Sequence, residues 1–290
     1  MPVAFEQVSF SYDDEHVALN DVNLVVEDGE FLGIIGHTGS GKSTLVQLMN
    51  ALLVPTAGRV LVDGLDTRER KLRRAVRTKV GLAFQYPETQ LFANTVAEDV
   101  AFGPRNLGLT DAEVDQRVRA ALERVGMDNA DIMERSPFDL SGGQQRRVAL
   151  AGILAMEPSV LVLDEPAAGM DPATVDEIRT YLRDLNDQGL TIVLVSHSMD
   201  DVAELCSRII VLDHGILSME GTPAELFTSE NAAELRRINL DVPRATKFAL
   251  ELAQRGLALP GPILDERQLV EALMARHEEA RGHDADLDRA

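Results

Sequence analysis

Eight residues, Gly36-His37-Thr38-Gly39-Ser40-Gly41-Lys42-Ser43, constrain this chain more than any other stretch. They fit the pattern G-x-x-x-x-G-K-[ST] between an apolar run, Phe31 to Ile35, and a helix expected from Lys42 to about Leu52. Glycines let the backbone curl so that successive N–H groups point at an anion, and the helix start adds favourable partial charge. Lys42 is then placed to reach the β- and γ-phosphates of a nucleotide, and the Ser43 hydroxyl to hold Mg2+. Only four of the 28 basic residues are lysines, which sets Lys42 further apart.

A loop of this kind belongs to a parallel α/β core, and the chain supplies one. Val160 to Leu163 and Thr191 to Val195 are short apolar runs, as expected of strands buried on both faces. The helix Pro172 to Leu185 between them completes a βαβ unit, and Val80 to Phe84 is a further strand. Val3 to Tyr12, Val22 to Val26 and Arg59 to Val62 suggest a small antiparallel sheet. Asp28-Gly29 between Val22–Val26 and Phe31–Ile35 predicts a hairpin, and Asp213-His214-Gly215 a second one.

Asp111 to Val125 has helical periodicity, with Val114, Val118, Ala121, Leu122 and Val125 on one face, and another helix begins near Ser141. After about Thr228 the character changes. Asn231 to Leu240 and Thr246 to Leu259 are helix-like, and Pro260-Gly261-Pro262 is a break. Asp265 to Gln268 has the capping-box form that opens a last helix, and the polar final ten residues are expected to fray. The chain therefore divides near residue 228, and a helical extension is expected over 229–290.

The strand Val160 to Leu163 runs into Asp164-Glu165. Carboxylates at the C-terminal edge of a buried parallel strand face the ligand crevice. Asp164 suits the Mg2+ role there, and Glu165 suits polarisation of an attacking water.

The most specific string is Leu140-Ser141-Gly142-Gly143-Gln144. Through it the chain resembles the ATP-binding subunits of ABC transporters, whose signature reads LSGGQ. The resemblance covers roughly residues 1 to 228 and implies an ATP-binding domain there, with its helical part at about 87–155. It implies an α/β P-loop NTPase fold with a RecA-like parallel core, a small antiparallel β subdomain and a helical signature subdomain. It also implies ATP and Mg2+, and a head-to-tail dimer in which Ser141, Gly142, Gly143 and Gln144 cap the γ-phosphate held by the partner's loop. The nucleotide contacts assigned by the match run from Gly36 through Thr44. Tyr12 matches the aromatic that stacks on adenine, and Gln85 the glutamine that contacts Mg2+ and water. Asp171 matches the loop that crosses the dimer interface, with Met170 where leucine is usual and Ala167 where threonine is common. His197 matches the histidine on the γ-phosphate. The implied catalytic set is Lys42, Gln85, Glu165 and His197, and the implied metal set Ser43, Gln85 and Asp164.

Further strings are similar to the ATPases of energy-coupling-factor (ECF) vitamin importers and related cobalt and nickel importers. They are His37 within the phosphate loop, Tyr86-Pro87-Glu88-Thr89-Gln90-Leu91-Phe92, Ala101-Phe102-Gly103-Pro104 and Ser196-His197-Ser198-Met199. This resemblance implies a second ATPase, identical or a paralogue, and a C-terminal extension that helps pair the two. It also implies a transmembrane coupling protein that reaches a groove beside Gln85, a separate substrate-binding membrane protein, and a place on the cytoplasmic face of the cell membrane. Glu98 and Asp99 are candidates for acidic contacts in that groove. Two alternatives stay open: the ATPase of an ordinary ABC transporter, and a soluble non-transport ABC ATPase. Against the latter, the chain carries one cassette and no heptad run between Lys42 and Ser141.

Composition sets outer bounds. The chain is 45% apolar and 26% charged over 290 residues, so it can build a sizeable core. No apolar run approaches the ~20 residues of a spanning helix, and the N-terminus lacks the pattern of a signal peptide. One cysteine, Cys206, excludes an intrachain disulfide, reads as a core residue and fits a reducing, cytoplasmic setting. A net charge of −20 repels phosphate backbones, so nucleic acid is not an expected partner. Apart from His197 and the loop residue His37, the histidines have no motif around them, and no Cys/His cluster has zinc-ligand spacing.

Overall fold

The computed structural model describes residues 2–13 and 16–287. In chain order the first elements are β1 (Val3–Ser11), β2 (Val17–Val26), β3 (Phe31–Ile35), α1 (Lys42–Met49), β4 (Ala57–Val62), β5 (Leu65–Asp66), α2 (Arg73–Lys79) and β6 (Val80–Ala83). A helical segment follows, with α3 (Val96–Leu107), α4 (Asp111–Arg124), α5 (Ala130–Met133) and α6 (Gly142–Leu154). The chain returns through β7 (Val160–Asp164), α7 (Pro172–Asp187), β8 (Thr191–Val195), α8 (Met199–Leu205), β9 (Arg208–Asp213) and β10 (Ile216–Gly221). It ends in α9 (Pro223–Leu226), α10 (Ser229–Arg237), α11 (Arg244–Gln254) and α12 (Glu266–Leu287). Of the ten polar residues at the end, 281–287 continue α12 and 288–290 lie outside the described residues.

Two sheets form. One is antiparallel, in the order β2-β1-β4-β5; the other runs β10-β9-β3-β8-β7-β6, parallel from β9 to β6 with β10 antiparallel at its edge. Side chains alternate across the parallel sheet, and both faces are buried. Leu32, Ile34, Val160, Val162, Val193 and Val195 pack with the antiparallel sheet and α1. Phe31, Ile35, Leu161, Leu163, Ile192 and Leu194 pack with residues of α3, α4, α6 and α7. Each such Val, Leu or Ile contributes ~1.5–3 kcal/mol by leaving water, which is why these runs are continuously apolar. Cys206 is buried, and a Cβ on Gly33 of β3 would stand 2.9 Å from its Sγ.

The turn at Asp28-Gly29 is not a hairpin. β2 pairs with β1, whereas β3 pairs with β8 and β9, so the turn carries the chain from one sheet to the other. The burial pattern gives the reason: β2 alternates buried and exposed, whereas all of β3 is buried. The turn is tied to the second sheet, since Gly29 N–H donates to Thr191 Oγ1 at 2.9 Å and Ile192 N–H to the Glu30 carbonyl at 2.9 Å. The Asp213–Gly215 turn does close a hairpin, with Ile216 opposite Asp213.

Candidate active site

Register brings the site together. Val195 of β8 stands opposite Ile34 on one side and Asp164 on the other. The residues that follow, Gly36, Glu165 and Ser196-His197, therefore leave one carboxyl edge of the sheet. This is the crevice where open α/β sheets bind ligands. Gln85, exposed, follows the outer strand β6 at the same edge.

The phosphate loop is tightly packed underneath and open above. A Cβ on Gly36 would overlap the Leu212 carbonyl and Ser40 Oγ. Gly41 has φ +106°, and a Cβ there would come within 2.6 Å of the Ala18 carbonyl oxygen. Only glycine fits such a backbone. Helix α1 starts at Gly41 with no side-chain cap, which leaves its first N–H groups available to an anion. Ser40 Oγ is buried without a hydrogen-bond partner. Lys42, 7% exposed, folds back to donate to the carbonyls of Gly36 at 2.6 Å and His37 at 2.9 Å.

The electrostatics are those of a half-closed acidic centre. Burial, with the Asp164 carboxylate beside it, pushes Glu165 up to about 7. Asp164 is also raised by burial, against attraction from Lys42 and His197 and a hydrogen bond with Ser43. Burial lowers Lys42, against the attraction of Glu165 and Asp164. Burial and the neighbouring Lys42 lower His197 as well, which favours the neutral ring. Glu165 holds φ +53°, in the left-handed region. Its Oε1 is buried, lies 3.5 Å from His197 Nε2, and has no hydrogen-bond partner. Such an orphan carries a desolvation cost that a water or ligand would relieve. Asp164 and Ser43 offer the hard oxygen donors that Mg2+ takes, so the residues present fit that ion.

Other residues singled out by sequence are placed as follows. Tyr12 stands 60% exposed just past β1, with its hydroxyl 3.1 Å from Thr44 Oγ1 and its ring edge-on to Phe10. The His37 imidazole turns to Asp213, at 3.1 Å. Asp171 caps α7, accepting from Thr174 N–H at 3.1 Å and Thr174 Oγ1 at 2.7 Å. Ser141 caps α6 with Gln144 in a full capping box. A Cβ on Gly142 would meet nothing within 4 Å, and one on Gly143 only the Thr174 methyl at 3.9 Å. These signature glycines thus answer to no steric demand of their own chain. A cleft of about 960 Å3 between α6 and α7 is lined by Ser141, Arg146 and Asp171, separate from the phosphate loop.

Arg146 and Glu88 had no visible signal as a pair. The structure joins them at 3.0 and 3.1 Å, and Arg146 also donates to the Pro166 carbonyl at 2.7 Å. Of the two acidic groove candidates, Asp99 is engaged at home, its Oδ2 accepting from the N–H groups of Phe92 at 2.9 Å and Ala93 at 2.8 Å. Glu98 is exposed nearby, beside an exposed edge-to-face pair, Phe92 and Phe102.

With this geometry in place, comparison with known proteins identifies the class. The chain belongs to the ABC transporter ATPases, and the family model described as ABC transporter matches residues 19–168. Within that class it stands among the energy-coupling-factor transporter ATP-binding proteins. It is 56% identical over 278 residues to the energy-coupling factor transporter ATP-binding protein EcfA2 of Symbiobacterium thermophilum, covering 94% of this chain and 96% of the relative. It is 47% identical over 280 residues to EcfA2 of Caldanaerobacter subterraneus subsp. tengcongensis, covering 94% and 97%. Among solved structures, cbiO1 from Clostridium perfringens, part of the ABC transporter complex cbiONQ, matches at TM-score 0.73 and 37% identity over 85% of this chain and 98% of that one. A dimeric ATP-binding cassette in a post-hydrolysis state, bound to ADP and Pi, matches at TM-score 0.66 and 31% identity over 76% and 98%. The resemblances drawn from the sequence are borne out in family and fold.

Proposed function

We propose that this chain hydrolyses ATP in a head-to-tail dimer to drive an ECF-type importer of a vitamin or transition-metal ion. Its second ATPase is a paralogue or an identical copy. The dimer is peripheral, held at the cytoplasmic face of the membrane by a transmembrane coupling protein that also carries the substrate-binding membrane protein. Among the described residues no helix is long and apolar enough to cross a membrane, so the membrane step belongs to those partners. The observation that carries the chemistry is the buried, unpartnered Glu165 Oε1, 3.5 Å from His197 Nε2 at the edge that also presents the phosphate loop.

Each side chain has a task in this reading. The N–H groups from Gly36 to Thr44 cradle the phosphates, and Tyr12 stacks on the adenine. Lys42 gives up the carbonyls of Gly36 and His37 for the β- and γ-phosphates. Glu165 orients the attacking water, and Gln85 and His197 fix the water and the γ-phosphate for in-line displacement. As water adds to the γ-phosphorus, its bond to the β,γ-bridging oxygen breaks and a water proton passes to Glu165. Ser43, Gln85 and Asp164 would hold Mg2+, which when bound offsets charge on the phosphate oxygens. Ser141 to Gln144 cap the γ-phosphate of the opposite subunit, and Asp171 meets that subunit across the interface. Closing and reopening move the coupling protein through the segment after Gln85. The helical extension over 229–290 serves the pairing of the two ATPases.

Affinity purification of the tagged chain from detergent-solubilised membranes tests the assembly. A multi-span coupling protein, a small substrate-binding membrane protein and an ATPase partner are expected. Recovery of larger permease subunits without the small binding protein would instead assign an ordinary ABC transporter, and a chain recovered alone in several detergents would overturn the transport reading.

A further inference from the structure

We propose that His37, Asp213 and His214 form a binding site for a divalent transition-metal ion of the zinc class, on the flank of the phosphate loop. The three side chains come from the loop after β3 and from the turn between β9 and β10, and one ligand atom from each lies within 4.8 Å of the others. His37 Nε2 is 3.1 Å from Asp213 Oδ1, and His214 Nε2 is 3.7 Å from the same oxygen. Ligands around a tetrahedral ion at ~2.0–2.2 Å stand about 3.3 Å apart, so the two separations bracket that spacing.

The tautomer also fits. His37 Nδ1 lies 2.8 Å from the Thr38 carbonyl oxygen, which can only accept, so Nδ1 carries a hydrogen. Nε2 then faces a second acceptor, the Asp213 carboxylate, and a cation between them resolves that opposition. An imidazole whose Nδ1–H is held by a backbone carbonyl is the usual arrangement of a metal-binding histidine. The His214 ring packs against that of His37 at 4.6 Å between centroids, and its side chain is 81% exposed, free to turn onto the ion. Two imidazoles and one carboxylate favour Zn2+, Co2+, Ni2+ or Cu2+ over Mg2+. This site is distinct in donors and place from the Ser43–Asp164 pair.

The surroundings are preorganised. Gly215 N–H donates to the Ser40 carbonyl at 2.9 Å, so the turn is already fastened to the phosphate loop. An ion held by His37 on one side and by Asp213 and His214 on the other adds a second fastening, which makes the stiffness of the loop depend on metal.

The test is titration of the full-length, EDTA-stripped protein with ZnCl2 in excess Mg2+, followed by calorimetry and by thermal unfolding. One equivalent of Zn2+ should bind with micromolar or tighter affinity and raise the unfolding temperature. His214→Asn, which tolerates the positive φ of this turn, and Asp213→Asn should each weaken binding at least about tenfold. Both should retain the unfolding transition of the metal-free protein. Co2+ in place of Zn2+ should give the intense d–d absorption of a low-coordinate nitrogen–oxygen site, lost in either variant. Absence of stoichiometric binding, or binding unchanged in both variants, would overturn the site and leave only the contact between His37 and Asp213.

Discussion

Arg146, on the signature helix, closes two hydrogen bonds on the carboxylate of Glu88, at 3.0 and 3.1 Å, while a third nitrogen reaches the Pro166 carbonyl at 2.7 Å. Arg146 is 8% exposed, and its guanidinium carbon lies 5.9 Å from the Tyr86 ring centre. Burial alone would raise Glu88, but the hydrogen bonds from Arg146, a backbone hydrogen bond and the Arg146 charge together outweigh it, so its carboxyl sits below the ordinary value. Three functional segments meet in this one cation: the stretch after Gln85, the helix that starts at Ser141, and the loop between Glu165 and Asp171. A rigid, bidentate fork is the group suited to hold three backbones in register.

Breaking one side of a buried pair leaves the other charge uncompensated. Arg146→Met should therefore cost about 3 kcal/mol of unfolding free energy, and Glu88→Gln somewhat less because its side chain is more exposed. The double variant should recover part of the loss, with a coupling of about 1 kcal/mol or more. Urea unfolding of the four proteins measures this. Additive losses would mean the two residues act independently.

Glu165→Gln separates the electrostatics of the site from its chemistry. The Glu165 carboxyl is raised to about 7 in the folded protein by burial and Asp164. A carboxyl raised on folding stabilises the folded state fully below its unfolded value of ~4.3, and that contribution disappears as pH climbs through the folded value. In the metal-free, nucleotide-free protein the variant should match the wild type near pH 4.5 and exceed it by roughly 3 kcal/mol above pH 7.5. With ATP and Mg2+ the same variant should persist as an ATP-bound dimer on gel filtration, with hydrolysis lost. A stability difference independent of pH would deny Glu165 its raised value, and hydrolysis at the normal rate would deny its role.

Much of this was legible in the residues. The phosphate loop, the Asp164-Glu165 strand end and the signature each combine a local pattern with a required context, and the structure sets each in that context. The helix α4 was readable because its buried Val114, Val118, Ala121 and Leu122 keep one face. What escaped depended on partners far apart in the chain. Glu88 and Arg146 are 58 residues apart, and His37 and Asp213 are 176 apart. No spacing rule reaches across such distances. Helix α3 was obscured by Pro104 in its interior, a residue that ordinarily argues against a helix. The supposed hairpin at Asp28-Gly29 failed because turn chemistry is local, whereas the pairing of β3 follows burial on both faces.

Asp99 and Glu98 are neighbours with different work. Asp99 Oδ2 holds the N–H groups of Phe92 and Ala93, whereas the Glu98 side chain has no such bond and faces solvent. Asp99→Ala should loosen this turn at a cost of about 1 kcal/mol and accelerate amide exchange at Phe92 and Ala93. Glu98→Ala should leave exchange unchanged and weaken only retention of the chain on solubilised membranes. Equal exchange in the two variants would remove the structural role of Asp99, and normal assembly of the double variant would remove the acidic contact.

Gly142 gives the sharpest separation of fold from function. It opens α6, and a Cβ there would touch nothing within 4 Å. Alanine in a helix is favoured over glycine by ~0.5–1 kcal/mol, so Gly142→Ala should make the isolated subunit slightly more stable. In the proposed head-to-tail dimer that same methyl group would stand where the opposite subunit's γ-phosphate approaches the helix start. Hydrolysis should therefore fall by at least about tenfold, equivalent to ~1.4 kcal/mol of transition-state stabilisation. Mixing this variant with Lys42→Ala subunits tests the arrangement further in a dimer of identical copies. One interface of the mixed dimer then carries both lesions and the other carries neither, so activity should partly return. Activity unchanged in Gly142→Ala, or no recovery on mixing, would mean that the signature serves its own subunit or none.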